Sequence, residues 1–473
     1  MNNNLNIGLV GVGLDTYWGQ FEGLKERLIG YQNKINERLV AMDANVINVS
    51  IIDSQQKAHE AVKLLLEEKV EMLFIFISTY ALSSTLLPIV QQCKVPIVLL
   101  NMQPEAVIDF KYVNGLADRG KMTGEWLAFC QACSLPEFAS VFNRAKIKFE
   151  VITGYLQDEE AWKEIGEWLS AIKVVKGMRE NRLGILGHYY TGMLDVYTDI
   201  TLQSTVFGTY IEYLEMCELQ YYYENVTREE LDLKLDEFYE IFKVNSACGI
   251  YELERAAKTS VALDKIVEVH QLGSMAYYYE GRSGNQYENL VTSVIAGNTL
   301  LTGRGIPVAG ECEVKNVQAM KIMSLLGAGG SFSEPYMIDF NNDVVLWGHD
   351  GPAHFSIAEN KVELVPIPVY HGKPGKGLSI QMNVKWGDVT FLSVCEGSDG
   401  VYFLVAEGNS VKGDTLMIGN TNSRYRFSCG AKEFINRWSK AGPSHHCAIG
   451  IGHVANKIEK VAHLLDIPFI RIC

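Results

Sequence analysis

Short apolar runs alternate with amphipathic stretches through the first hundred positions. LNIGLV opens the series, a helix is predicted over about residues 21–39, NVINVSII follows, a second helix is predicted over about 55–66, and MLFIFI, LSSTLLPIVQQ and PIVLL complete it. Brief, wholly apolar runs between amphipathic segments are the pattern of parallel strands buried on both faces and joined by crossover helices. The prediction is an open, doubly wound, Rossmann-like α/β domain. Ligands of such sheets gather beyond the carboxyl ends of the strands, where this chain places residues 15–19 (DTYWG), 78–80 (STY) and 101–103 (NMQ).

A second α/β pattern begins near VITGYLQDEEAWKEIGEWL. Asp158 is placed to cap a helix whose first turn carries Glu159 and Glu160, and Trp162, Ile165, Leu169 and Ile172 recur at three- and four-residue spacing as a core stripe. The strand RLGILG follows, then the loop HYYTGMLD, so His188 and Tyr190 sit at a strand end within reach of a ligand. The last third changes character. VELVPIPV, LSIQMNVKW, VTFLSVCEG, VYFLVAEGNSV and TLMIGN are short runs punctuated by Gly, Asp and Asn, which predicts an antiparallel barrel or sandwich. The expected organisation is an N-terminal α/β domain over 1–175, a central one over 176–325, and a β-rich domain over 326–473.

Charge narrows the range of partners. Net charge is −14 with no Lys/Arg block, which disfavours nucleic acid and anionic membranes, because phosphate binding needs clustered cations. No segment reaches the roughly 18 to 20 apolar residues of a membrane span, and MNNNLNIGLVGVG lacks a cationic start before a long apolar stretch; the expectation is a cytoplasmic protein. Ten scattered cysteines fit a reducing compartment. Cys130 and Cys133 form a CxxC with no second such pair, and read as structural residues in a helix after GEWLAF. GLVGVGLDTYWG lacks the third glycine of a dinucleotide fingerprint, carrying Thr16 there, so Asp15, Tyr17 and Trp18 read better as a sugar-facing rim.

Four residues carry the candidate chemistry: Glu311 in VAGECEVKN, Glu334 in GGSFSEPY, His349 in VLWGHDGP and His446 in AGPSHHC. Two carboxylates with two imidazoles suit a divalent metal that accepts hard oxygen and borderline nitrogen together. Each lies beside glycines or a turn, and the helix expected after Glu311, apolar over much of its length, would pin the ends that hold the two glutamates.

The run VAGECEVKNVQAMKIMSLLGAGGSFSEPYMIDFNNDVVLWGHDG closely resembles the metal-binding stretch of the L-arabinose isomerase family, with its AGEG-type turn, IM-rich helix, GG-x-SF-x-E segment and later G-x-H. AGPSHHCAIGIGHV resembles that family's C-terminal GG-x-HH segment, and the likeness extends across the chain, weakest over the first 150 residues. The resemblance implies Glu311, Glu334, His349 and His446 as metal ligands, Glu311 and Glu334 as the acid/base pair, and a preference for Mn²⁺. It further implies a three-domain subunit, trimers or hexamers whose active sites are completed by a neighbouring subunit, and aldose–ketose isomerisation of a free sugar by enediol(ate) proton transfer between C1 and C2. His445 either orients the substrate or holds the turn.

Departures fall on the substrate side. Where the family carries a Gly-Ser-Gln-His-Leu-Tyr-Gly run this chain has GLDTYWG, and where it has His-Thr-Phe this chain has Ser78, Thr79 and Tyr80. Asp15, Trp18, Ser78 and Tyr80 are thus expected to set which sugar is accepted, with L-arabinose expected to be a poor substrate and an L-fucose-like sugar, another hexose or a 6-substituted hexose left open. Two other readings stand beside the isomerase. One is a non-catalytic sugar-binding or regulatory protein on the same scaffold, which retention of all four ligand-type residues disfavours. The other is a zinc hydrolase, which the missing HExxH pattern disfavours.

Overall fold

A computed structural model describes residues 5–280, 284–367 and 376–473 of the chain, which divides into two units, Met1–Ile172 and Lys173–Cys473. In the first unit the apolar runs become β1 (Leu5–Val12), β2 (Ala44–Ile52), β3 (Met72–Ile77), β4 (Ile97–Gln103) and β5 (Glu150–Tyr155). All are parallel, in the order β2-β1-β3-β4-β5. Every residue of β3, the central strand, is buried, which is why its sequence has no polar alternation. The crossover helices Leu24–Ala41 and Gln55–Glu67 lie where their periodicity predicts them. The second starts at Ser54, whose hydroxyl accepts from the Lys57 N–H at 3.4 Å.

The strand order reverses between β1 and β3, and the segments after those two strands carry Asp15 and Tyr80 at the switch point. The helix Glu159–Arg179 carries the predicted stripe, with Trp162, Ile165, Leu169 and Ile172 all buried. Asp158 Oδ1 accepts from the Glu160 N–H at 3.1 Å, as a cap should. The CxxC differs from expectation. One helix ends at Ala128 and the next begins at Gln131, so Cys130 occupies the junction rather than a helix interior. Burial, with Cys133 alongside, pushes its thiol up to about 12, the state of an inert thiol rather than a metal-ready thiolate.

The second unit opens on another parallel sheet. Its strands are β6 (Arg182–Gly187), β7 (Tyr210–Leu214), then β9 (Ser274–Tyr278) and β10 (Val308–Ala309), ordered β10-β9-β6-β7, while the short β8 (Lys243–Val244) between them in sequence pairs elsewhere. Gly187 closes β6 with φ +105, and a Cβ there would stand 1.8 Å from the Tyr278 carbonyl oxygen, so β6 and β9 approach closely only with glycine at this point.

The remaining strands are β11 (Gly329–Asp339), β12 (Val344–His349), β13 (Glu363–Ile367), β14 (Gly377–Gln381), β15 (Gly387–Gly397), β16 (Gly400–Val411), β17 (Thr421–Phe427), β18 (Cys447–Ile451) and β19 (Phe469–Arg471). Six of them run antiparallel in the order β15-β18-β11-β12-β17-β16, and β16 pairs back onto β15 to close a barrel. Closure removes the free sheet edges. The predicted barrel is there, but its membership differs. VELVPIPV and LSIQM, as β13 and β14, leave the barrel and form a small sheet with β8; positions 368–369 of the first run lie outside the described residues. TLMIGN is a loop rather than a strand. Asn422 holds it, accepting from the Leu416 N–H at 2.8 Å and donating to the Leu416 carbonyl at 2.9 Å, and β17 begins just beyond it.

Trp347 is buried in the barrel core, with ring centroids of Phe391 at 5.2 Å, Phe434 at 5.8 Å and Trp438 at 6.0 Å. The helix Val314–Leu325 joins the parallel sheet to the barrel and packs on β11, β15 and β18. Gly330 admits it: a Cβ there would lie 2.9 Å from the Met320 carbonyl oxygen. Among the described residues, no helix is long and apolar enough to cross a membrane.

Candidate functional site

Glu311 owes its position to a turn that reverses the chain after β10. The Glu313 N–H donates to the Gly310 carbonyl at 3.0 Å, and the two residues between, Glu311 and Cys312, have φ of +55° and +59°. That is the left-handed pair of a type I′ turn, which favours glycine and asparagine. For Glu and Cys it costs about 1–3 kcal/mol each, the kind of strain that persists only where surrounding structure holds it. Here Cys312 N–H donates to the Tyr277 carbonyl at 3.1 Å, and Tyr190 N–H reaches the Glu311 carbonyl at 3.4 Å. Held this way, Glu311 and Glu313 both face His446. Nδ1 of His446 is 2.5 Å from Glu313 Oε2, and its Nε2 is 3.3 Å from Glu311 Oε2.

The barrel supplies the other groups from three neighbouring strands. Glu334 on β11 stands opposite Gly348 of β12, His349 ends β12, and His446 immediately precedes β18, whose Cys447 pairs with Ser333 of β11. Residues far apart in sequence therefore share one barrel end. Phe332, fully buried, wedges beneath them with its ring centroid 4.3 Å from that of His349 and 4.4 Å from that of His446. Removing this ring leaves a cavity under both imidazoles. Phe332→Ala is therefore expected to lower stability by about 3–5 kcal/mol in urea unfolding, and a loss within about 0.5 kcal/mol, the range of surface changes, would show that the ring is not a support.

Single ligand atoms from Glu311, His349 and His446 lie within 4.8 Å of one another, and so do atoms from Glu334, His445 and His446. The two groups overlap at His446, which brings the four expected ligands and His445 into one cluster. His445 lies against Asp195: its Nδ1 is 2.6 Å from Asp195 Oδ2, while Nε2 is 3.6 Å from Glu311 Oε2 and 3.8 Å from Glu334 Oε2. Glu311 foremost, together with Asp195, pushes the His445 imidazolium up to about 9 against the opposing effect of burial. Partial burial works to raise the Asp195 carboxyl, but hydrogen bonds from His445 outweigh it and hold the group below its ordinary range. A cavity of about 60 Å³ adjoins the cluster, lined by Tyr190, Tyr278, Asn298, Glu311, His349 and Asp350 among others.

The other predicted contacts fall as follows. Tyr190 lines that cavity with its ring tilted against that of Tyr278 at 4.8 Å between centroids, whereas His188 is exposed, with Nδ1 2.8 Å from the Tyr189 carbonyl. Asp15, Trp18, Ser78 and Tyr80 belong to the first unit. Asp15 is exposed and Trp18 donates from Nε1 to Asp53 at 2.9 Å. Tyr80 donates to Glu137 at 3.2 Å, and Ser78 is fully buried, its hydroxyl donating to the Val12 carbonyl at 2.6 Å. Three residues of the cluster escaped the sequence reading. Glu313 carried a signal, as the second acid of Glu-Cys-Glu, and Phe332 stood in the SFSE run, but Asp195, 250 positions from its partner, carried none.

Residues 329–468 match the family model described as the L-arabinose isomerase C-terminal domain. The chain is 20% identical over 343 residues to an L-arabinose isomerase of Shouchella clausii, spanning 71% of this chain and 69% of that protein. It is 22% identical over 424 residues to the L-arabinose isomerase of Aeromonas salmonicida (85% and 80%), and 22% identical over 332 residues to a sulfoquinovose isomerase of Priestia megaterium (66% and 69%). The chain is related to the arabinose isomerase-like sugar isomerases. Glu334, His349, His445 and His446 lie inside the matched domain, while Glu311, Glu313 and Asp195 come from the parallel-sheet part that precedes it. That these relatives are named as sugar isomerases supports an aldose–ketose isomerase here and does not favour the non-catalytic alternative.

Proposed function

We propose that the chain is a metal-dependent aldose–ketose isomerase acting on a free sugar, with Glu311, Glu334, His349 and His446 as ligands of a divalent cation, Mn²⁺ by the family resemblance. One observation carries the metal. Glu313 accepts at Nδ1 of His446, so that nitrogen bears the hydrogen, and in the neutral ring Nε2 presents its lone pair. That lone pair faces Glu311 Oε2 at 3.3 Å, and both atoms are buried with no hydrogen-bond partner among the described residues. Two acceptors set face to face in a buried site fit a shared cation, and a mixed oxygen and nitrogen donor set suits a first-row divalent ion.

When bound, such a cation stabilises the negative charge that develops on the two sugar oxygens next to the reacting carbons. The chain's own groups move the proton. One carboxylate of the Glu311/Glu334 pair removes the proton from C2 of the aldose and returns it to C1, while the hydroxyl proton on O2 passes to O1; no net oxidation occurs. The two glutamates sit differently, their side chains 15% and 30% exposed, which supports a division of base and acid duties. The cavity beside them, with its tyrosines and Asn298, is the expected resting place for part of the sugar. The same reading includes a homo-oligomer, trimeric or hexameric, whose active sites a neighbouring subunit completes.

The test is a panel of L-arabinose, L-fucose, common aldohexoses and sulfoquinovose, followed by NMR before and after metal removal. Chelated protein should interconvert none of them and Mn²⁺ should restore turnover of at least one. L-Arabinose should be a poor substrate beside the best aldose, since the switch-point residues Asp15, Trp18 and Tyr80 depart from the family's wording. A site that hydrogen-bonds particular hydroxyls rejects analogues by orders of magnitude in kcat/KM. No turnover of any sugar with saturating Mn²⁺ sinks the isomerase reading, and L-arabinose as the best substrate sinks the specificity part.

A further inference from the structure

We propose that Asp195 is a positioning residue of this site: it holds the ring of His445 so that Nε2 faces both Glu311 and Glu334, making His445 an organiser of the two carboxylates and of the sugar between them. The inference rests on the isomerase reading and adds a residue to it. Asp195 lies in the short turn Leu194–Val196 in the loop after β6, anchored by the fully buried Val196. That loop leaves the carboxyl end of the parallel sheet, whereas His445 enters from the barrel side, just before β18.

Both the main chain and the side chain of Asp195 are engaged. Its carbonyl accepts from Ser444 Oγ at 3.0 Å and from Lys315 Nζ at 2.5 Å. Oδ2 accepts from the His445 N–H at 3.0 Å and meets Nδ1 at 2.6 Å. The backbone bonds already fix the turn. The contact at Nδ1 does something more, because it sets which ring nitrogen points away and where. It sends Nε2 between two carboxylates, 3.6 Å from Glu311 and 3.8 Å from Glu334, and lays the ring at 3.8 Å centroid distance from His446. Of the two roles the sequence left open for His445, orienting the substrate therefore fits better than holding the turn.

Asp195→Asn keeps the shape and can still accept from the His445 N–H, but loses the charge that fixes the ring. The expected result is a fall in kcat of about 10- to 100-fold, with KM and Mn²⁺ affinity each within about threefold of the unaltered protein. Asp195→Ala, should it fold, gives a loss at least as large. On a His445→Ala background, Asp195→Asn should add little, because two residues acting as one unit are non-additive. ¹⁵N NMR of histidine-labelled, metal-free protein should show the His445 ring nitrogens displaced by Asp195→Asn and those of His446 unmoved. Unchanged kcat, a loss that follows Mn²⁺ affinity, full additivity with His445→Ala, or unmoved His445 signals would each overturn the proposal. If the unaltered protein isomerises no sugar, the isomerase reading fails separately, and the NMR result alone decides whether Asp195 holds the ring.

Discussion

Glu311→Gln and Glu334→Gln should each reduce sugar interconversion by at least about 10²-fold at saturating Mn²⁺, with melting behaviour close to that of the unaltered protein. The amide keeps the size of the side chain and its ability to ligate through oxygen, yet it cannot take a proton from carbon, and loss of general acid–base catalysis alone is worth that much. The two variants should differ in a second measurement. Glu311 Oε2 faces His446 Nε2 at 3.3 Å and Glu311 also lies 3.6 Å from His445, whereas Glu334 is the more exposed of the pair. Glu311→Gln is therefore expected to weaken Mn²⁺ binding more than Glu334→Gln, read by electron paramagnetic resonance of free Mn²⁺. Near-normal turnover in either variant with metal saturated would remove that glutamate from the acid–base role.

How much of this was legible in the sequence depended on whether the signal was local. β3, buried along its whole length, announced itself as MLFIFI, and the stripe from Trp162 to Ile172 as a helix face, because burial imposes a period on neighbouring residues. Closure of the barrel was not local. β13 and β14 look like their neighbours in composition, yet they pair with each other, and β13 with β8, more than a hundred residues earlier, rather than with the barrel. The site divides along the same line. Glu311, Glu334, His349 and His446 stand in glycine-flanked runs that could be singled out one by one, and the family wording joined them. Their convergence comes from the register of β18, β11 and β12 and from a left-handed turn at Glu311 and Cys312 that no propensity favours. Asp195 lay beyond sequence reasoning because its partner is set by the packing of a parallel-sheet loop against a barrel strand.

Glu313→Ala should lower Mn²⁺ affinity by about 10- to 100-fold, the range for removing a carboxylate that orients a ligating histidine. Glu313 is 1% exposed and the His446 side chain wholly enclosed, so in the unaltered protein bulk solvent does not reach Nδ1. The stranded N–H should cost about 1–3 kcal/mol of stability in the metal-free protein. The ring, no longer obliged to keep its hydrogen on Nδ1, then loses the preference that kept the Nε2 lone pair facing Glu311. Glu313→Gln separates the two consequences. Its carbonyl oxygen can still accept from Nδ1, so most of the stability should return, while the neutral amide leaves the imidazole a weaker donor and affinity only partly restored. Glu313 also precedes the helix Val314–Leu325 without capping it through its side chain, so neither substitution removes a helix cap. Manganese titration and urea unfolding of the same three proteins decide the matter. A Glu313→Ala protein that is less stable yet binds Mn²⁺ as tightly as before would make the carboxylate a packing partner of His446 and nothing more, and would take with it the argument that His446 Nε2 is aimed at a metal.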